Sequence, residues 1–452
     1  MTVQLPMFNE KFVVDRLLES VAALDYPQDR LEIQILDDST DDTTEQCYRK
    51  VEELKSRGFD AVCIHRTDRT GFKAGALEAA TKVAKGEFLL ILDADFVPEP
   101  DLLQKTIHFF TDENVGLVQT RWGHINREYN LLTRIQGMYL DGHFAMEQTA
   151  RNRSGRFFTF NGTAGIWRKY VIGDAGGWSH DTLTEDMDLS YRVQLKGWRF
   201  IYLNDVVTPA ELPVDMDGFK SQQHRWTKGS IQVCQKILLD IWRSNAPLKA
   251  KVEATTHLTC NYSYLLLALL CFLVYPICTQ RIPENETVFM WFVNVALFFM
   301  TSVAVCIFYM SAQIVVRPKS WWKELPYLPL LLTLSVGMAV NNAKAVLEAI
   351  FGHQSAFVRT PKYGVDRKED RRHVSQLKRN GYRAIKSVVI PVLEIACGTF
   401  FLNLIIIMIR QGHYLSPILM IPFLGFYYTG FCSLGRMISN LLPAKQTAKA
   451  KN

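Results

Sequence analysis

Asp93, Ala94 and Asp95 come directly after the very apolar run Phe88 to Leu92. Two carboxylates on alternate residues past a strand end can reach a hard divalent cation, Mg2+ or Mn2+, and such an ion holds a diphosphate through its oxygens. A D-x-D triplet is common in solvated turns, so by itself it decides nothing. Its company is more telling. Asp37, Asp38 and Ser39 close another β-rich run, and Arg66, Arg69, Gly71, Lys73, Ala74 and Gly75 open a helical stretch with cations beside small residues. That combination suits close approach by a nucleotide. Thr184, Glu185 and Asp186 put carboxylates into a polar turn just before a helix predicted to start near Leu189. Gln222, Gln223, His224, Arg225 and Trp226 stand immediately upstream of the apolar part of the chain.

Regular elements must bring these distant segments together. Thr2 to Leu5, Glu32 to Leu36, Ala61 to His65, Glu87 to Leu92 and Gly116 to Thr120 read as strands. Lys11 to Ala22, Thr43 to Arg57, Lys73 to Ala84 and Pro100 to Phe110 read as helices. The alternation predicts an α/β domain over residues 1–246 with a mostly parallel sheet. In such sheets ligands bind outside the carboxyl ends of the strands, where both acidic pairs fall.

At 452 residues the chain exceeds one ordinary domain. Hydrophobic residues make up 48% and charged residues 21%, but almost every uninterrupted apolar run lies after residue 253. The mean hydropathy of +0.01 therefore averages a polar half with a membrane half. Disorder, a collagen-like fibre and a small disulfide scaffold are excluded. Residues 247–452 are expected to hold four spans, at about 256–280, 288–315, 388–410 and 414–436. Pro326, Pro329, Gly337, Asn341 and Asn342 interrupt residues 325–351, which are expected to form an interfacial or re-entrant helix. Residues 353–387 carry ten basic against three acidic residues, more than the whole net charge of +6. Between apolar runs that reads as a cytoplasmic loop and not as a nucleic-acid-binding arm. No apolar segment precedes Thr2, so the expectation is that targeting comes from the later spans. The nine cysteines are scattered without a C-x-x-C pair and read as reduced core or membrane residues.

In their order, the DDS, D-x-D, TED and Q-x-x-R-W groups resemble those of the processive inverting family 2 glycosyltransferases of the cellulose synthase type. Phe160 to Arg168 (FNGTAGIWR), Asp174 to Trp178 (DAGGW) and Thr182 to Arg192 (TLTEDMDLSYR) resemble the cellulose synthase-like branch that makes mannan, glucomannan or the glucan backbone of xyloglucan. Phe357 to Lys362 (FVRTPK) resembles the F-x-V-T-x-K gating loop of that family, with Arg359 replacing the usual valine. The resemblance implies a GT-A catalytic domain facing the cytoplasm, followed by a helical membrane domain with a gating loop at about 353–386. It implies a β-1,4-linked polysaccharide built from UDP-glucose or GDP-mannose, with Mg2+ or Mn2+ as cofactor and the growing chain passed across the bilayer. Such a protein sits in the plasma membrane of a bacterium or the Golgi of a eukaryote. The competing implication is a non-processive enzyme that makes a glycolipid such as glucosylceramide.

Roles follow from the same resemblance. Direct attack by an acceptor hydroxyl needs one carboxylate base, Asp186. Asp95 with Asp93 would hold the metal, and Asp38, Lys73, Gln222, Arg225, Thr360 and Lys362 the nucleotide sugar. Trp226, Glu185 and Asn161 would face the acceptor. Each has a plainer competitor: Trp226 could anchor at a membrane interface, Asp186 could cap a helix, and Asn161 could shape a turn. Glu394, alone in an apolar span, either lines a polysaccharide path or pairs with a base from another segment.

Overall fold

The strands form wherever β-branched and other apolar residues run together between polar turns, and their side-chain period of two decides which face each residue buries. In β4 (Phe88–Ile91), Leu89 and Ile91 enter one core cluster while Leu90 and the following Leu92 enter the other. A strand buried on both faces reads as a continuous apolar run, as here. The computed structural model describes residues 1–279, 303–353, 360, 362–365, 388–410 and 417–441.

β1 (Thr2–Met7), β2 (Glu32–Asp37), β3 (Asp60–His65) and β4 pair in parallel, as the sequence predicts. β5 (Val115–His124) pairs in parallel with β7 (Arg199–Ala210), and β6 (Gly165–Arg168) is inserted antiparallel between β4 and β5. The sheet order is β3-β2-β1-β4-β6-β5-β7. β6 and β7 escaped the sequence reading: β6 is only four residues long, and β7 alternates weakly, with much of it half-buried. The helices α1 (Val14–Ala22), α2 (Thr43–Ser56) and α3 (Phe72–Val83) cover the parallel half. The expected helix over 100–110 is shorter, Leu102–Thr106, followed by a tighter turn.

α4 (Leu131–Asp141) opens on a capping box at Asn130, and α5 (Glu185–Leu195) carries three acids in its first turn, where the helix dipole favours negative charge. α6 (Met216–Arg243), 28 residues long, runs from the cleft side of the sheet to α7 (Leu248–Thr259) and α8 (Ser263–Thr279). Beyond them come α9 (Val303–Val316), α10 (Leu328–Gly337), α11 (Ala339–Ile350), α12 (Val389–Arg410) and α13 (Pro417–Leu441). Leu248–Pro276, Trp321–Ile350 and Val389–Arg410 are each long and apolar enough to cross a bilayer. The expected spans at 256–280 and 388–410 fall on α8 and α12. Most of the expected span at 288–315 and the start of that at 414–436 lie outside the described residues, as does most of the loop 353–386.

α6 passes so close to the turn before α5 that a Cβ on Gly229 would stand 2.5 Å from Thr184 Cγ2 and 2.7 Å from its hydroxyl. Gly229→Ala should therefore destabilise by about 1–3 kcal/mol through overpacking and lower the thermal unfolding midpoint of the purified protein. Gly435→Ala, in α13 with nothing within 4 Å of the added methyl, should leave that midpoint unchanged or raised. Equal midpoints for the two variants would contradict the packing described.

Candidate active site

The strand ends and the two helix starts converge on one cleft enclosing about 1290 Å³ of space continuous with solvent. All twelve residues that the sequence singles out for chemistry line it. Asp38 follows β2, Asp93 and Asp95 follow β4, Asn161 precedes β6, and Glu185 and Asp186 start α5. Gln222, Arg225 and Trp226 lie on α6, and Thr360 and Lys362 come from a segment more than 100 residues beyond its end.

Asp38 is almost buried and gripped by Arg66, whose Nε and Nη2 donate to its two oxygens at 2.8 and 2.6 Å. Lys73 donates to Asp93 Oδ1 at 2.5 Å and to the Gly162 carbonyl at 2.8 Å. Burial works against its charge, but the Asp93, Glu185 and Asp186 carboxylates outweigh that and raise the Lys73 pKa. Lys362 donates to Asp95 Oδ2 at 2.5 Å and to the Glu211 carbonyl at 2.9 Å.

Asp186 accepts from the Met187 backbone N–H at 2.8 Å, so it does tie down the helix start. It also faces the cleft, and the absence of a side chain at Gly162 makes room for it. A Cβ there would sit 2.9 Å from Asp186 Oδ2, on a backbone with φ of +81°. Burial first, then the neighbouring Glu185 carboxylate, hold Asp186 above the usual carboxylate range, against the pull of Lys73 and Arg225. A carboxylate displaced in this way is a proton acceptor matched to neutral pH.

On the far wall Trp226 packs beside Trp122, ring centroids 6.5 Å apart, and both rings border the cleft. Asn161 is fixed by Gln148, which donates to its Oδ1 at 2.7 Å, while its Nδ2 lies 3.1 Å from His143 Nε2. His224, read as structural, pairs with Glu348 at 3.1 Å.

Two participants were missed. Trp122, in a strand, carried no motif. Glu211 is 3% exposed and accepts from the backbone N–H groups of Tyr363 and Val365 at 2.9 and 3.1 Å, so it fastens the segment that delivers Lys362. Its one sequence signal is a lone acid in an apolar stretch between Pro209 and Pro213.

Among the described residues no three His, Cys, Asp or Glu side chains converge on one metal position. Two carboxylates, Asp93 and Asp95, do face the same cleft, each already matched to a cation by Lys73 and Lys362. One or two carboxylates completed by phosphate oxygens are the donor set that Mg2+ ordinarily takes, so the residues present fit such an ion.

A family model described as "Glycosyltransferase like family 2" matches residues 1–229. The chain is 42% identical over 265 residues to glucomannan 4-beta-mannosyltransferase 1 of Oryza sativa subsp. japonica, covering 58% of this chain and 50% of that protein. It is 44% identical over 247 residues to glucomannan 4-beta-mannosyltransferase 2 of Arabidopsis thaliana, covering 54% and 46%. The chain thus spans about half the length of the curated relatives it matches. A mannosyltransferase from Pyrobaculum calidifontis, solved in complex with GDP-Man and Mn2+, shares the GT-A fold with a TM-score of 0.55 and 21% identity, over 78% of this chain and 87% of that one.

If Glu185 helps hold the proton on Asp186, Glu185→Gln must bring the Asp186 titration down in pH. Difference infrared spectra of the carboxyl C=O stretch, assigned with Asp186→Asn, would read it. An unmoved titration would assign the shift to burial alone.

Proposed function

The chain belongs to glycosyltransferase family 2, and on that premise we propose that it is an inverting, processive β-1,4-hexosyltransferase. It extends a mannan-type polysaccharide from a nucleotide sugar and passes the product through its own membrane helices. The observation that carries the reading is the meeting of Asp186, the Asp93–Asp95 pair and Trp226 in one cleft at the foot of those helices. The names of the two plant relatives favour mannose as the sugar and GDP-mannose as the donor, with UDP-glucose the alternative.

The acceptor hydroxyl oxygen attacks the anomeric carbon while its proton passes to the Asp186 carboxylate. The bond from that carbon to the diphosphate oxygen breaks, and the nucleoside diphosphate departs with the electron pair. Lys73 pairs with Asp93 and offsets the charge of the nearby Glu185 and Asp186 carboxylates. Arg225, Gln222 and Lys362 lie where negative charge develops on the leaving group. Trp226 and Trp122 offer aromatic faces to the apolar side of an acceptor ring. Asp95 and Asp93 would hold a bound Mg2+ or Mn2+, which neutralises diphosphate charge.

Contacts at both ends of Trp321–Ile350 support a reading of the membrane topology. At its start, Arg317 just before it and Glu324 in its first turn meet Glu128 and Arg134 of the catalytic domain. After it, the His353 carbonyl accepts from Lys228 on α6 at 2.6 Å, and Lys362 reaches Asp95. A segment that starts and ends against the same domain starts and ends on one face of the membrane. This supports the interfacial or re-entrant helix, with catalytic domain and loop both cytoplasmic.

Asp186→Asn should lower sugar transfer in purified membranes by about 10²–10⁴-fold while leaving donor binding intact. GDP-mannose and UDP-glucose, supplied separately with Mn2+, would identify the sugar and linkage from the product. Appreciable turnover by the variant would remove Asp186 as the base. Cysteines placed at Lys319 and His353 should both be labelled by an impermeant maleimide from the cytoplasmic side alone, and labelling of either from the opposite side would refute the topology.

A further inference from the structure

Lys220 and Glu394 are 1% and 0% exposed, 174 residues apart in sequence, and joined at 2.5 Å. Glu394 lies in α12, the most apolar candidate span, and Lys220 in the second turn of α6, two residues before Gln222. The ammonium is fully coordinated by protein: besides Glu394 it donates to the Thr429 carbonyl at 3.0 Å and to Ser433 Oγ at 2.9 Å, both on α13. Asn341 on α11 donates to the Lys220 carbonyl at 3.1 Å. One turn earlier, Arg436 of α13 pairs with Asp215 and Asp217, and Tyr363, next to Lys362, donates from its hydroxyl to Asp215 at 3.5 Å.

A Met–Leu pair would fill similar volume without desolvating two charges, and such exchanges are often neutral or stabilising. What an ion pair adds is direction, because its bonds are satisfied at one rotation and one height of each helix only. α6 carries Gln222, Arg225 and Trp226 on the two turns after Lys220, so any rotation at Lys220 is transmitted rigidly to them.

We propose that the Lys220–Glu394 pair is a positioning device for the reaction: it keys α6 to the membrane helices and so fixes Gln222, Arg225 and Trp226 against the leaving group and acceptor. The proposal rests on the transfer reading above. It also answers the alternatives open for Glu394: the side chain is 0% exposed and its Oε2 is bound by Lys220, a base from another segment.

The test uses the full chain in lipid nanodiscs with the doubly apolar variant Lys220→Met/Glu394→Leu. Donor binding is measured calorimetrically, nucleoside diphosphate release by a coupled assay, and the environment of Trp226 by 19F spectra of 5-fluorotryptophan at that position. A keyed helix predicts kcat lowered about tenfold or more with donor Kd weakened far less, and a single 19F line replaced by a broadened or split one. Wild-type kcat with one sharp line would overturn the proposal, as would a loss of donor affinity in step with kcat, which would mark collapse of the cleft. Glu394→Gln, which keeps an acceptor for Lys220 but not the charge, should show the same split in smaller measure and serves if the double variant does not fold. Absence of diphosphate release by the wild type from either donor would defeat the transfer reading instead, and the 19F line would still judge the keying.

Discussion

Asp93, Asp95, Glu185 and Asp186 border the same cleft, and the repulsion among them is the constraint that the rest of the site answers. Like charges in a partly desolvated space cannot all remain ionised without cations nearby. Lys73 from α3 meets Asp93, and Lys362 from a remote segment meets Asp95. Burial first, and the neighbouring Glu185 carboxylate next, raise the proton affinity of Asp186 against the pull of Lys73 and Arg225. The division of roles among these chemically similar groups therefore comes from depth of burial together with where the chain places its cations. Asp93 and Asp95 are each matched to a lysine, and Asp186 is the group whose proton affinity suits exchange.

That distribution is written partly in the first domain and partly in the membrane half, which explains why the two are interlocked by charge. Arg127 and Arg134 of the catalytic domain meet Glu324, Asp141 accepts from Gln313, and Lys228 meets Glu348. Buried pairs of this kind contribute little net stability, because desolvation consumes most of the attraction. Their consequence is geometric: they admit one relative placement of sheet and helices.

Much of this was legible from residue types and order. The alternation of strands and helices located five strands, and the polar groups at their ends marked the cleft. A lone carboxylate in a span announced either a basic partner or a polar path. The rest was hidden for physical reasons. β6 is four residues long and antiparallel, too short for its period to rise above the surrounding turns. Trp122 reads as one more large residue in a strand until the fold turns it toward Trp226. Glu211 acts through its neighbours' backbone N–H groups, and backbone partners leave no trace in side-chain type. The base of Glu394 lies 174 residues away, a separation over which sequence pattern carries no pairing information.

The docked segment 362–365 poses the last question of charge balance. Its lysine occupies Asp95, and the buried Glu211 holds its backbone through Tyr363 and Val365. Burial raises the proton affinity of Glu211, with Lys362, the Tyr363 N–H and Arg16 opposing. Withdrawing the segment would leave that carboxylate with fewer partners in a desolvated place, an unfavourable state. The segment is thus held at two points of different character. The Glu211 contact depends only on this chain, whereas the largely buried Asp95 contact borders the cleft, where an anion can compete for the lysine. A diphosphate entering beside Asp95 offers the Lys362 ammonium a more highly charged partner while the Glu211 anchor stays made. The lysine can then change partners without the segment letting go, and the same short stretch of chain can serve both the vacant and the loaded cleft.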